Sequence, residues 1–136
     1  MFMLNELLIK ELSEQVGINT SDIQVIKDGE IYSTSEIKTN KIWKNGESIY
    51  RKIIHGSASN TTNLDISNYI DNYNEMTDMI YKYSIEGDGN VYFGNVNKNG
   101  IEQSIFVGGN NTQIIFRGSR NFSNFDITLE YTKTTD

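Results

Sequence analysis

Glycine-containing turns at short intervals separate runs of β-forming residues, and this pattern narrows the possible folds more than any other feature. The dipeptides Asp28-Gly29, Asn45-Gly46 and Asn99-Gly100 predict two-residue hairpins, and longer turns are predicted at 87–90 and 108–111. Asparagine and glycine suit such turns because both tolerate the positive φ angles that a tight hairpin needs. Strands at intervals of about 8–12 residues indicate a mainly β protein, an antiparallel β-sandwich or barrel.

The runs between these turns are the candidate strands, at 23–27, 30–32, 42–43, 48–54, 76–85, 91–96, 104–107, 112–117 and 125–133. The last run alternates most clearly, which predicts one buried and one exposed face. The expected core face carries Phe125, Ile127, Leu129 and Tyr131, and the opposite face carries Asp126, Thr128, Glu130 and Thr132. Residues 33–41 are polar and turn-prone, and 67–76 fits either one helical turn or a loop.

Residues 2–16 carry a helical pattern, with an apolar stripe at spacings of three and four. The stripe is Leu4, Leu7, Leu8, Leu12 and Val16, and Gly17 follows as a C-cap. A helix of about 15 residues is marginal alone in water, so the stripe must pack on something. It could pack on its own domain, or it could form an inter-subunit bundle or dock on a larger assembly. The apolar residues 1–3 favour docking.

Three segments of the chain follow a pattern found elsewhere. They are Tyr32-Ser33-Thr34-Ser35-Glu36, then residues 42–54 with Trp43, Gly46, Ile49, Tyr50 and Lys52, and finally Leu129-Glu130-Tyr131-Thr132-Lys133-Thr134-Thr135-Asp136. Together they resemble a C-terminal domain of phage and prophage virion proteins of Gram-positive hosts, including head-fibre and tail-fibre proteins. Residues 1–30 show no comparable match.

The resemblance implies a homotrimeric virion surface protein. Residues 1–31 would be a helical attachment segment and residues 32–136 an outward-facing β head. Its partners would be other virion proteins of the capsid or tail, and host cell-wall polysaccharide is a candidate ligand. The expected attachment or oligomer interface is the apolar side of the first segment, at Phe2, Leu4, Leu7, Leu8 and Leu12.

Composition excludes several other classes of protein. The net charge of −6 disfavours binding to nucleic acid or to an anionic membrane surface, and no apolar run is long enough to span a bilayer. The absence of cysteine removes disulfides, thiolate zinc sites and cysteine nucleophiles. Residues 1–10 lack a signal-peptide pattern, so we expect a product made in the host cytoplasm and assembled into the virion.

Catalytic and metal-binding patterns are weak, so we expect no enzyme, no cofactor and no metal. A serine triad would have to use His55, the only histidine, and a solvated histidine is the more common situation. Residues 86–90 begin like a calcium loop, but Val91 occupies the sixth position and Asn97 the twelfth. A plain hairpin turn is the better interpretation of this segment.

Candidate ligand-binding residues lie near the later turns, where a fibre head would present them: Arg117, Arg120 and Tyr92. A neutral polysaccharide fits an acidic protein better than an anionic polymer does. Trp43 could be a sugar-stacking platform, but large aromatic side chains in strands usually belong to the core. The alternatives are a soluble carbohydrate-binding module, a tail receptor-binding protein and, least favoured, a small hydrolase on the tail.

Overall fold

The computed structural model of the protein describes residues 32–135, which contain nine strands and one turn of 3-10 helix. In chain order these are β1 (Ile37–Ile42), β2 (Ser48–Ala58), β3 (Thr61–Asp65), the 3-10 turn (Ile66–Asn68), β4 (Tyr73–Ile85), β5 (Val91–Phe93), β6 (Val96–Lys98), β7 (Ile101–Gly108), β8 (Gln113–Gly118) and β9 (Phe122–Lys133). The predicted mainly antiparallel β class is confirmed. The helix predicted over 2–16 and the hairpin at Asp28-Gly29 lie outside the described residues.

The strands form two antiparallel sheets. The larger sheet has the order β1-β2-β9-β4-β5 and curls like half a barrel, and the smaller has the order β3-β8-β7-β6. The last strand, β9, lies in the middle of the larger sheet and pairs with β2 on one side and β4 on the other. The C-terminal segment is therefore central to the fold.

One apolar core draws side chains from both sheets. Its buried members are Tyr50, Ile54, Ile66, Ile70, Tyr83, Ile85, Ile105, Ile114, Phe116, Phe122, Phe125, Ile127, Leu129 and Tyr131. The predicted core face of β9 is confirmed, since all four of its residues belong to this set. The opposite face is not exposed throughout, because Glu130 and Thr132 are also buried. Burying one such side chain contributes about 1.5–3 kcal/mol to the free energy of unfolding, so this apolar core is the main source of stability.

Of two predicted two-residue hairpins, one has the predicted length and the other is longer. Asn99 and Gly100 have φ angles of 52° and 79°, so they form the predicted two-residue turn between β6 and β7. The connection between β1 and β2 is longer and covers residues 43–47. There the N–H of Gly46 donates to the carbonyl of Trp43, and Gly46 has a φ of 85°. This is a type I turn closed by a glycine bulge, not a two-residue hairpin.

Other strand boundaries also differ from the predictions. The run 91–96 is not one strand, because β5 joins the larger sheet and β6 the smaller, with Gly94 between them. The polar residues 33–41 contain most of β1, and the polar strand β3 was not predicted. The ambiguous segment 67–76 contains the end of the 3-10 turn, a tight turn at Asn72 and the start of β4.

Candidate functional site

The segments that carry the resemblance meet at one end of the larger sheet, where they form a group that we call the motif cluster. Its members are Tyr32, Glu36, Tyr50, Arg51, Glu130, Tyr131 and Lys133. Arg51 on β2 lies directly opposite Glu130 on β9, and Tyr50 lies opposite Tyr131. Because side chains alternate along a strand, the first pair faces outward and the second faces the core.

The outward half of the cluster is an ion pair that is almost fully removed from water. Arg51 is only 3% exposed, and its Nη2 lies 2.6 Å from Oε2 of Glu130. The ammonium of Lys41 donates to Oε1 of the same carboxylate at 3.0 Å, and the ring of Tyr32 lies 4.4 Å from the Arg51 Cζ. Burial acts to raise the pKa of Glu130, but the hydrogen bonds from Lys41 and Arg51 outweigh it and hold that pKa below its ordinary value.

The inward half of the cluster surrounds the carboxylate of Glu36. It accepts hydrogen bonds from the Tyr131 hydroxyl at 2.5 Å and from the Lys133 ammonium at 2.7 Å. The Tyr50 and Tyr131 rings stack with centroids 6.2 Å apart, and the Lys133 ammonium lies 5.1 Å from the Tyr50 ring centroid. Burial first, and then the bond to Glu36, raise the pKa of Tyr131 above its usual value. The cluster's polar groups bind one another, so the cluster is a structural connection and not a ligand site.

Trp43 lies beside this region but not in the core. Its side chain is half-buried, and its indole N–H donates to the Glu75 carboxylate at 3.1 Å. The expectation of a core tryptophan is wrong, because the loop between β1 and β2 carries Trp43 to the rim of the sheet. Its contact with Glu75 connects that loop to β4.

Two of the predicted ligand residues lie beside the turn between β4 and β5: Tyr92 on β5, and Arg120 in the connection between β8 and β9. The Tyr92 hydroxyl donates to Oδ2 of Asp88 at 2.5 Å, and the backbone N–H of Asn90 donates to Oδ1 at 3.0 Å. The bond from Tyr92 lowers the pKa of Asp88, and the charge of Arg120 lowers it slightly further. The carboxylate thus stabilises the turn itself, and the predicted plain hairpin between β4 and β5 is confirmed.

The third predicted ligand residue, Arg117, lies on a different surface, the outer face of the smaller sheet. It lines a groove of about 550 Å³ that we call the polar groove. The polar residues along it are Asn60, Thr61, Asn95, Asn97, Glu102, Ser104, Arg117 and Ser119. The Arg117 Nη1 donates to the carbonyl of Phe116 at 2.8 Å, which holds the guanidinium against the sheet. The structure thus separates Arg117 from the pair formed by Tyr92 and Arg120.

Backbone pairing and one buried amide fix the walls of the polar groove. Gln103 is 2% exposed, and its side chain accepts from the N–H of Arg120 at 3.0 Å and donates to the carbonyl of Arg120 at 2.9 Å. Ser119 and Glu102 exchange two further bonds, one backbone to backbone at 2.8 Å and one from the Glu102 N–H to the Ser119 hydroxyl at 3.1 Å. The rim of the groove is therefore preorganised.

The groove combines groups that suit an uncharged, hydroxyl-rich ligand. Amide, hydroxyl and carboxylate side chains can exchange hydrogen bonds with sugar hydroxyls. Phe106 does not line the groove, but it lies two residues beyond Ser104 on the same face of β7 and is 44% exposed. It therefore offers a surface beside the groove on which a sugar ring can stack. Sequence reasoning found only Arg117 here, because the other residues come from separate loops and strands that only the sheet order brings together.

Residues 32–135 were compared with two further kinds of site, a metal site and a membrane-spanning helix. This part of the chain holds no group of three or more histidine, aspartate or glutamate residues placed to bind a metal ion. Nor does it contain a helix long and apolar enough to cross a membrane. His55 is exposed on β2, as the solvated interpretation predicted.

Comparison of the chain with protein-family models, with curated proteins and with solved structures found no match.

Proposed function

We propose that the protein is a structural component of a bacteriophage virion, a short trimeric surface fibre or decoration protein. Residues 1–31 attach it to the capsid or tail, and the β head, a β-sandwich that curls towards a barrel, faces outward. The observation that carries this proposal is the motif cluster, because the residues responsible for the resemblance to virion fibre domains form it.

The distance along the chain between the members of the cluster gives this observation its weight. Glu36 and Tyr131 are 95 residues apart in sequence and share a hydrogen bond of 2.5 Å. The opening, middle and closing segments of the pattern therefore make one physical unit that joins the start of the head to its central strand. A match whose opening, middle and closing segments contact one another is more informative than a match scattered over the surface, since contacting residues constrain a fold.

Adsorption to the host is the second half of the proposal, and the polar groove is its candidate site. A neutral polysaccharide is the ligand class that fits, because it is held by stacking and hydrogen bonds and is not repelled by a protein of net charge −6. Arg117 would donate from one wall of the groove, and Phe106 would stack a neighbouring sugar. The soluble carbohydrate-binding module, the runner-up function, would use the same groove.

Retention of the purified full-length protein on host cell walls tests the groove. We expect Arg117→Ala and Phe106→Ala each to lower the affinity about tenfold, because a lost hydrogen bond or stacked ring costs on the order of 1.4 kcal/mol. Arg120→Ala is the matched control, since Arg120 lies outside the groove, and it should bind like wild type. Chelator should leave retention unchanged.

The outcomes separate the possible functions. If Arg120→Ala lost retention and Arg117→Ala and Phe106→Ala did not, the ligand would bind at the turn beside Asp88. If retention depended on divalent metal, a metal-mediated site would replace the proposed one. If wild type showed no retention, only the decoration role would survive. A soluble binding module would be monomeric and would retain full binding without residues 1–20.

A further inference from the structure

A second surface, on the outer face of the larger sheet, exposes apolar side chains that the proposed function does not use. We call it the apolar patch and define it by Ile53, Ile80, Val91 and Phe93. Ile80 is 60% exposed, Val91 58% and Phe93 74%. Scattered apolar residues are ordinary on a protein surface, but a contiguous group of large ones marks an interaction site.

Strand register places the four apolar residues in neighbouring rows on one face of the larger sheet. Ile53 on β2 lies opposite Thr128 on β9, and Thr128 lies opposite Ile80 on β4. In the next row Phe93 on β5 lies opposite Lys82 on β4, and Val91 follows one row further on. Ile53, Ile80 and Phe93 line a shallow depression of about 390 Å³ with Thr128, Lys82 and Asp126 among its polar residues. The patch thus runs across four strands.

The described part of the chain begins beside this patch and on the same face. Tyr32 stacks on Arg51, whose side chain points outward one row away from Ile53. The carbonyl of Ser33 accepts a hydrogen bond from the N–H of Ile53 at 2.8 Å. The segment 1–31 therefore joins the head next to Ile53, at one side of the apolar patch.

We propose that residues 2–16 dock on the apolar patch of their own chain, with the stripe of Leu4, Leu8 and Leu12 against Ile80 and Phe93. As a helix, these residues would be about 22 Å long, and the patch is roughly 14 Å across, three strand spacings. Residues 17–31 could span up to about 50 Å, so the connection does not prevent this placement. A short helix is marginal alone in water, and an exposed apolar sheet face is unfavourable in water. Docking would bury the leucine stripe and the apolar patch against each other and remove both from solvent.

The charges on both surfaces agree with this placement. Lys82 and Asp126 lie in the row of Phe93, next to the row of Ile80, with their charged atoms 3.9 Å apart. Their side chains are 52% and 44% exposed, so the charged ends can reach water at the edge of a docked helix. The acidic residues Glu6, Glu11 and Glu14 lie off the leucine stripe and would point into solvent. In this arrangement the stripe supports the attachment segment, and the polar side of the segment with Phe2 remains available to the assembly. The inference holds whether or not the protein is a virion component.

Disulfide trapping in the full-length chain tests the placement, because the protein has no native cysteine. We would pair Ile80→Cys in turn with Leu4→Cys, Leu8→Cys and Leu12→Cys, and oxidise under mild conditions. A bridge forms only when the Cα atoms come within about 4.4–6.8 Å. We expect at least one pair to form an intramolecular bridge, seen as a faster-migrating monomer on a non-reducing gel. Phe106→Cys, on the outer face of the other sheet, is the matched partner that should give none.

Each other outcome overturns the proposal. Bridged dimers or trimers would make a second copy the occupant of the patch. Equal trapping at Phe106→Cys would show that the segment has no fixed place. No trapping at any pair would show that the segment lies elsewhere.

Amide hydrogen exchange of the cysteine-free chain is an independent test. The amides of residues 2–16 should be protected in wild type, exchange at least tenfold faster in Ile80→Asp, and be unchanged in Phe106→Asp and on dilution.

Discussion

Glu130 is the single side chain on which the outward half of the motif cluster depends. It accepts bonds from Arg51 and Lys41, and Arg51 is only 3% exposed, so solvent has little access to its guanidinium. We expect Glu130→Gln to lower the free energy of unfolding by about 3 kcal/mol at pH 7, as when one partner of a buried pair is removed. Urea unfolding measures this. Asp126→Asn is the control, since the Lys82–Asp126 pair is exposed and should cost under 1 kcal/mol.

The same residue predicts a dependence of stability on pH. The pKa of Glu130 is lowered in the folded protein, so its contribution is fully present above the unfolded pKa of about 4.3. It is lost as the pH falls through the lower folded pKa. The stability gap between wild type and Glu130→Gln should therefore be widest near neutral pH and should close in acid. A gap that stays constant between pH 7 and pH 3 would contradict this account.

Sequence reasoning could not identify this pair. The alternation of the last run predicts that Glu130 lies on the face opposite the core, and β9 does place it there, directly across from Arg51 on β2. They are buried nevertheless, because Tyr32 and Lys41 from the preceding segment cover them. Only the pairing of β1, β2 and β9 reveals that cover.

Among the secondary-structure elements, β7 and β8 pack so closely at Gly118 that there is no room for a side chain larger than hydrogen. A Cβ on Gly118 would lie 2.2–2.6 Å from the amide group of Gln103, which is buried and bonded at both ends to Arg120. We expect Gly118→Ala to lower the free energy of unfolding by about 1–3 kcal/mol through overpacking. Thermal or urea unfolding measures the change.

Two further variants isolate the cause of that loss. Gly89→Ala is the matched control, because a Cβ there meets nothing within 4 Å and the stability should be almost unchanged. In a Gln103→Ala background the added methyl group has room, so Gly118→Ala should cost less than it does in wild type. An equal cost in both backgrounds would show that the backbone, and not Gln103, sets the effect.

The elements show what could be predicted. The turn at Asn99-Gly100 was predicted because it depends on the φ preferences of these two residues alone. The alternation of β9 was predicted because side chains along a strand alternate with a period of two. β3 was missed because its sequence, Thr61–Asp65, is mostly polar and its inward residues are partly buried Thr62 and Leu64. The division of 91–96 into β5 and β6 depends on which sheet each half joins, and no local signal carries that information.

For the whole molecule, the resemblance to fibre proteins predicts a homotrimer. Sedimentation equilibrium at micromolar concentration should give three times the 15.5 kDa chain mass. Because the proposed docking covers the apolar patch from within one chain, Phe93→Asp should leave that mass unchanged. A monomer mass for wild type would contradict the trimer, and a monomer mass for Phe93→Asp alone would place the subunit interface on the patch.

The candidate groove illustrates the limit of sequence reasoning at this scale. Asn60, Asn95 and Arg117 lie far apart along the chain, and each is an ordinary polar residue near a turn. They line one groove only because β8 pairs with β3 on one side and β7 on the other, while β6 follows β7. The turn positions were predictable from local sequence, but the sheet order was not.

The central claim is that this protein belongs to a virion, and quantitative mass spectrometry of purified particles tests it most directly. Phage particles induced from the strain that carries the gene would be separated into heads and tails, and the amount of the chain in each fraction would be compared with that fraction's major structural protein. We expect the chain in one fraction, at a copy number that is a multiple of three, and its loss from particles when residues 1–20 are deleted. Its absence from both fractions, with the protein recovered free in the lysate, would contradict the claim.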